Sequence, residues 1–353
     1  MLTAQLPGVL RKALGPHWEF TLDGDHLTIE HPQRGTPYHP PRHDLPWLEL
    51  LATLQSAFAD TGVPRAECLP LRWGRETELT ISAVQALDPY LKHRQPVPYR
   101  QGFLPQPVVR LTGQRDEHGN LRDGFLTAFV NASRIQTITD VSTYGTVLDE
   151  WLTVLSRLSL HARHITIHGN LKIWRRRQVA GITLRYDHAS VPLGDIVLLW
   201  NADDPTYMAV DLGTALERLS WVRSRRPWHS VVHGDHARHT APDALDAIRT
   251  ATLLLGSGIP AAQRGPGATV RRMAGRIQPA AAMTGLSQAI RIYHTFWSLV
   301  SPLADWPSVA HALEGAVLHP PPRSYGTPDT LYPTHKGPPQ RSNAAQARAN
   351  KPT

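Results

Sequence analysis

The sequence predicts an α+β chain: a largely antiparallel sheet with flanking helices, followed by a small all-helical domain. Three observations predict it. Between residues 70 and 221 short apolar runs recur (ELTISAV, QPVVRL, GFLTAFVNA, HITIH, GITLRY, GDIVLLWN, TYMAVDLG), joined by turn-rich connections. One long amphipathic stretch, about residues 144–160, interrupts them, whereas a doubly wound parallel sheet needs strand and helix to alternate. From residue 243 the period turns helical in DALDAIRTATLLLGSG, ATVRRMAGRIQ, LSQAIRIYHTFWSLV and VAHALEGAVL.

Taken in order, WEFTLDGDHLTIEH (18–31) alternates apolar and polar residues on both sides of Asp23-Gly24-Asp25, a hairpin signal. The proline- and histidine-rich stretch 32–46 reads as a linker, so residues 1–46 are expected to form a hairpin appendage ahead of the main fold. WLELLATLQSAFAD (47–60) carries apolar residues at helical spacing and stops before Thr61-Gly62. Residues 47–228 are expected to form the sheet domain and 229–318 the helical one. Residues 319–353, proline-rich and without period, read as a disordered basic tail.

With 41% hydrophobic and 19% charged residues among 353, the chain can bury a core. Lys and Arg total 37 against 29 Asp and Glu, a formal charge of +8 that suits a polyanionic or phosphorylated partner. Half of the excess lies in the tail, where Arg323, Lys336, Arg341, Arg348 and Lys351 face a single acid, Asp329. The single cysteine, Cys68, excludes an internal disulfide and a zinc site with two thiolates, and reads as a buried core residue. No apolar run approaches the ~20 residues of a spanning helix, and the first residues are too broken for a secretory signal. A cytoplasmic protein without a membrane partner is the expectation. The P-loop, GxGxxG, GxSxG and HExxH patterns are all missing, so the enzyme classes they mark have no support.

Three arginines lie at strand edges. Arg110 ends PVVRL, Arg122 precedes GFLTAF, and Arg218 follows VDLG in VDLGTALERL. A planar, permanently charged guanidinium at a strand end suits bidentate contact with phosphate or carboxylate, although each alone fits a surface ion pair as well. Asp211 leaves a strand, Gly213 lets a backbone turn or a ligand approach, and a helix then opens with Glu217-Arg218. Two basic clusters, Arg175-Arg176-Arg177 and Arg223 with Arg225-Arg226, stand beside Trp174, Trp221 and Trp228, a mixture that suits stacking on bases or a solvated face. His229, His233, His236 and His239 surround Asp235, and a solvated loop between domains accounts for them better than a metal site. His161, His164 and His168 read as a turn and an edge strand, and no metal ligands are assigned.

Four segments in order resemble the catalytic core of the alanyl-tRNA synthetases, a class II aminoacyl-tRNA synthetase family. LTISAVQALDPYLKHRQPVPYRQGFLPQPVVRL (79–111) is similar to the family's stretch ending at the motif 2 arginine, with Pro89-Tyr90, Arg94, Pro98-Tyr99, Gln106 and Arg110 on family positions. NLRDGFLTAFVNAS resembles the second arm of motif 2 and VDLGTALERL motif 3. ALDAIRTATLLLGSGIPAAQRGPGATVRRM is similar to the first helices of the tRNA-recognition domain, with Ala247-Ile248-Arg249, Gly258, Gly267 and Arg271-Arg272 matching. The resemblance spans about residues 50–275.

That resemblance implies a six-stranded antiparallel class II sheet with a helical domain behind it. It implies an enzyme that activates an amino acid with ATP and Mg²⁺ and passes it to tRNA or another acceptor. Arg110 would contact the α-phosphate, Arg122 and Arg218 the outer phosphates, with Glu217 beside them. Asp211 would hold the substrate's amino group, Gly213, Val84 and Trp174 would line its pocket, and Arg271, Arg272 and Gln263 would face RNA. The chemistry needs no protein nucleophile, because the substrate carboxylate attacks phosphorus and the protein positions groups and stabilises charge. Several positions depart from the family. The motif 2 Glu falls on Ala128, the pocket Asn on Leu198, the second motif 3 Gly on Ala215, and the acceptor-reading Asn on Gln263. The Asn-Ala-Gly-Met turn reads Ile81-Ser82-Ala83-Val84, and 175–186 (RRRQVAGITLRY) replaces a Pro-Cys-Gly-Pro-Cys loop. An amino acid other than alanine is therefore expected, or a catalytically inactive relative that binds RNA or an amino acid. No editing domain is expected after residue 318.

Overall fold

The computed structural model of the chain describes residues 2–33, 44–111, 114–117, 121–277 and 285–318. Met1–Pro320 fall into one compact unit. The tail expected to be disordered, 319–353, and most of the linker lie outside the described residues.

One sheet organises the unit. Its strands are β1 (Glu19–Asp23), β2 (His26–Glu30), β3 (Gly102–Val109), β4 (Ala128–Ile138), β5 (Ile165–Asn170), β6 (Trp174–Arg176), β7 (Val179–His188), β8 (Val191–Asn201) and β9 (Met208–Ala215). They run in the order β1-β2-β5-β7-β8-β9-β4-β3, with β6 paired to β7, and every ladder is antiparallel. The expected α+β class with a large antiparallel sheet is therefore what the chain adopts.

Ten α-helices accompany the sheet among the described residues: α1 (Leu2–Leu14), α2 (Trp47–Asp60), α3 (Asp88–His93), α4 (Ser142–Arg157), α5 (Leu216–Ser224), α6 (Trp228–His233), α7 (Pro242–Gly256), α8 (Pro266–Ala274), α9 (Leu286–Trp297) and α10 (Trp306–Leu318). In α4 the spacing of Tyr144, Val147, Leu148, Trp151, Val154 and Leu155 puts all six on one buried side. Each such side chain contributes about 1.5–3 kcal/mol of burial. Tyr144 Oη donates to the Ile196 carbonyl at 3.1 Å, which fixes α4 across β8. The strand residues facing this layer are the apolar ones, among them Ile196, Leu198, Val210, Leu212, Val130 and Ala132. The same core continues into α7, α8, α9 and α10 through Leu245, Ile248, Leu253, Val270, Ile290 and Trp297.

Several expectations need correction. The hairpin at 19–30 extends the main sheet through the β2–β5 ladder, and α1 buries Leu6 and Leu10 against the same core. Because β2 covers β5, His168 is not on an edge strand. ELTISAV is not a strand. Leu79 makes one bridge to Arg72, and a capping box between Ser82 and Gln85 then turns the chain into a 3₁₀ helix, Ala83–Leu87. QPVVRL begins earlier, at Gly102, and includes Pro105 and Pro107, which an edge strand tolerates on its unpaired side. GFLTAFVNA starts its strand only at Ala128, because Gly124, at φ +84°, belongs to a turn. The His229–His239 segment is not a loop: α6 and a 3₁₀ turn, Gly234–Arg238, span it, and His233 is buried with Nδ1 2.8 Å from Tyr293 Oη. Cys68 is half-buried, its thiol directed at the carbonyls of Pro105 and Val300, and burial pushes its pKa up to about 11.

Candidate functional site

Strand alternation separates the two faces of β4, β8 and β9. Opposite the apolar face, Phe129 and Asn131 of β4, Asp195 and Val197 of β8, and Asp211 and Gly213 of β9 line a cleft of about 370 Å³. Register sets their order: Asp195 stands opposite Gly213, and Val197 opposite Asp211. Gly213 matters here for its missing side chain. A Cβ would lie 3.2 Å from Asn131 Oδ1 and 4.0 Å from Asp195 Oδ1, so the bare backbone keeps the floor open between them.

Arg110, just after β3, and Arg218, in the first turns of α5, close the cleft from two sides. Arg110 Nε donates to the Ile81 carbonyl at 2.6 Å, and its guanidinium lies 5.0 Å above the Phe129 ring. Arg218 repeats the arrangement, donating Nε to the Gly124 carbonyl at 2.8 Å and lying 5.0 Å above Phe125. Each arginine is thus held by its Nε and an aromatic face, which leaves the Nη edge for bidentate contact. Trp228 of α6 and Leu126 complete an apolar wall.

Two carboxylates oppose the two guanidinia. Asp211, 9% exposed, accepts a hydrogen bond from Ser133 Oγ at 3.0 Å. Burial, with the Asp195 charge adding to it, raises the Asp211 carboxyl to about 7, against the Ser133 bond and Arg110. Asp195 is also pushed up by crowding from protein atoms, with Arg110, Arg185 and Arg218 opposing. Arg110 and Asp195 both keep solvent contact along the cleft, so water screens the attraction between them. The cleft is charge-balanced and offers an anion subsite beside a cation subsite.

The structure brings together Arg110, Arg218, Asp211 and Gly213 and separates the rest of the expected set. Arg122 is exposed and outside the cleft lining; its backbone N–H bonds the Gln114 carbonyl. Glu217 is fully buried on the far side of the α5 turn, where it pairs with Arg249 of α7 and accepts from Val130 N at 3.2 Å. Its charge serves cohesion, since a buried carboxylate needs this pairing. Val84 and Trp174 pack in a separate apolar cluster, and Ser82 lines the cleft two residues before Val84. Trp174 Nε1 donates to Thr183 Oγ1 at 3.0 Å. Arg271 and Arg272 lie on α8, half-buried and exposed, and Gln263 is in the exposed stretch before it. Ala128 and Leu198, the two departures expected to remove site groups, both face the core, so neither position reports on the cleft. Gln106 is buried and holds Leu69 through both its N–H and its carbonyl.

Asp195, Asn131, Ser133 and Phe129 are site residues that the sequence reading missed. The signal for two was present: Asn131 and Ser133 in FVNAS are polar at a spacing of two and alternate with the apolar Val130 and Ala132. No group of three or more His, Cys, Asp or Glu able to hold a metal occurs among the described residues, and none of their helices is long and apolar enough to cross a membrane. Neither known family models nor curated proteins give a match to this chain.

Proposed function

We propose that the cleft binds ATP and an amino acid and joins them as an aminoacyl adenylate, in the manner of a class II, alanyl-tRNA synthetase-like ligase. The observation that carries this reading is the convergence of Arg110, Arg218 and Asp211. The resemblance assigns these positions to the ATP phosphates and the substrate amino group, and they come from three separate segments of the chain. Six of the sheet's nine antiparallel strands, β5-β7-β8-β9-β4-β3, run as neighbours in the number the resemblance implies, with β1, β2 and β6 additional to it. The hairpin β3–β4 and the unit β9–α5 also support the reading, since they match the segments similar to motifs 2 and 3.

In this reading the amino group, as ammonium, binds Asp211. The substrate carboxylate oxygen attacks the α-phosphorus, the bond to the bridging oxygen breaks, and pyrophosphate leaves. Arg110 and Arg218 stabilise charge on the phosphoryl oxygens. Oxygen donors suit Mg²⁺, and Asp195 with the Asn131 amide oxygen would hold it beside the phosphates. Bound there, the ion would neutralise phosphate charge and help orient the leaving group. Transfer to tRNA or another acceptor would use the α8 face with Arg271 and Arg272. Amino-acid-dependent ATP–pyrophosphate exchange tests this, with loss of exchange expected in Arg110→Ala and Arg218→Ala.

A binding-only relative is favoured by one observation: Arg122 and Glu217, two of the four residues assigned to ATP, are outside the cleft. ATP affinity without exchange for any amino acid would select that reading.

A further inference from the structure

The segment between β3 and β4 carries Arg110, Gln114, Gly124, Phe125 and Leu126, five of the residues that line the cleft. Two carboxylates of α7 hold it. Asp243 Oδ2 meets Arg115 Nη1 at 2.7 Å, while Asp243 Oδ1 accepts from Leu121 N at 3.4 Å. Arg115 and Leu121 are themselves paired in an antiparallel bridge, and Arg122 N donates to Gln114 O at 3.0 Å. Asp243 therefore grips both legs of a small hairpin stem.

Asp246, one turn further along α7, accepts from Thr127 N at 2.9 Å, and the Thr127 carbonyl accepts from Arg110 N at 2.7 Å. A single residue thus links Asp246 to the backbone of the cleft arginine. Asp246 is 1% exposed, and its Oδ2 has no hydrogen-bond partner. Burial raises the Asp246 carboxyl against its bonds to Thr127 and the charges of Arg249 and Arg276, so ionising it there is costly. Holding Thr127, and through it Arg110, gives this carboxylate a role that stability does not.

We infer that Asp243 and Asp246 are positioning residues: from α7, Asp246 fixes the base of the β3–β4 segment at Thr127 and Arg110, Asp243 fixes its stem at Arg115 and Leu121, and together they set Arg110 against the anion subsite. The inference rests on the nucleotide reading only for the identity of the anion. The clamp itself is a property of the free chain. α7 thereby links the helical layer to the phosphate-binding side of the cleft, and a disturbance of α7 alters nucleotide affinity without touching the cleft.

The test uses the full chain and its variants Asp246→Ala, Asp246→Asn and Asp243→Ala, with Mg·ATP as the probe. Amide exchange over 121–127 is read by mass spectrometry, ATP affinity by calorimetry, and folding by thermal unfolding. Asp246→Ala and Asp243→Ala are expected to raise exchange at 121–127 and to weaken ATP binding roughly tenfold, the effect of losing one charged hydrogen bond. Asp246→Asn keeps an acceptor for Thr127 N and is expected to restore affinity to within about twofold of the native chain. A role confined to stability would lower the unfolding temperature while leaving exchange at 121–127 and ATP affinity unchanged in the folded variants, and that result overturns the inference. Should Asp246→Ala fail to fold, the part-exposed Asp243→Ala decides by the same readouts. If the native chain binds no ATP, the nucleotide reading fails, and the exchange data alone uphold or overturn the clamp.

Discussion

Asp195 on β8 and Asp211 on β9 are diagonal neighbours on one face of the sheet, since Asp195 stands opposite Gly213 and Asp211 opposite Val197. Burial holds the Asp211 carboxyl up, and the Asp195 charge raises it further. Arg110 and Arg218 bring the opposite charge to the same cleft. Four charged groups held this way present both signs of charge to the cleft.

The arginines should dominate anion affinity. Arg110→Ala or Arg218→Ala is expected to weaken Mg·ATP binding roughly tenfold to a hundredfold, one or two charge-assisted contacts each. Calorimetry gives the dissociation constant, and an unchanged circular dichroism spectrum shows the fold is intact. Arg122→Ala, exposed and outside the lining, is expected to stay within about twofold.

Asp211 makes stability depend on pH with a definite sign. Its folded pKa of about 7 lies above the unfolded value of about 3.9, so between these limits the folded state binds more protons. Its contribution is therefore best at acid pH and falls as pH rises from about 4 through 7. Asp211→Asn is expected to remove that slope and to be more stable than the native chain by roughly 2–4 kcal/mol at pH 8. Urea unfolding at pH 5 and pH 8 checks it, and a native advantage at pH 8 would contradict the assignment.

The same shift predicts proton release. An ammonium ligand favours ionised Asp211, so binding near pH 6.5 should release up to one proton. Calorimetry in buffers of different ionisation enthalpy measures this, and the release should vanish in Asp211→Asn.

Glu217 and Arg249 are expected to serve cohesion. Arg249 Nη1 also donates to the Ala128 carbonyl at 2.9 Å, and its guanidinium lies 4.5 Å above Trp297. Glu217→Gln removes the charge that Arg249 was buried against. It is expected to cost about 3–5 kcal/mol of stability, read by denaturant unfolding. At low temperature, the folded variant should retain its ATP affinity.

Most strands of the sheet were legible because their residues alternate or run apolar, as in GITLRY and TYMAVDLG, whereas β6, Trp174–Arg176, reads as part of a basic cluster. The turn at 78–84 was not, since ELTISAV is strand-like in composition and only the Ser82–Gln85 capping box ends it. Within the cleft, Arg110, Arg218, Asp211 and Gly213 could be read from strand ends and the Gly-helix junction. Asp195 could not, because a lone acid ahead of an apolar run gives no hint of which neighbour it will face. Register decides that, and register is a long-range property. Glu217 and Arg218 show the limit most plainly: they are adjacent in sequence, but the first turn of α5 sends one into the core and the other into the cleft.

Amino-acid-dependent ATP–pyrophosphate exchange, run on the full chain with each of the twenty amino acids and repeated on Arg110→Ala, tests the central claim most directly. Exchange with one amino acid or a small related set is expected, together with its loss in Arg110→Ala. Exchange that persists in Arg110→Ala would contradict the claim, as would a native chain that neither exchanges nor binds ATP.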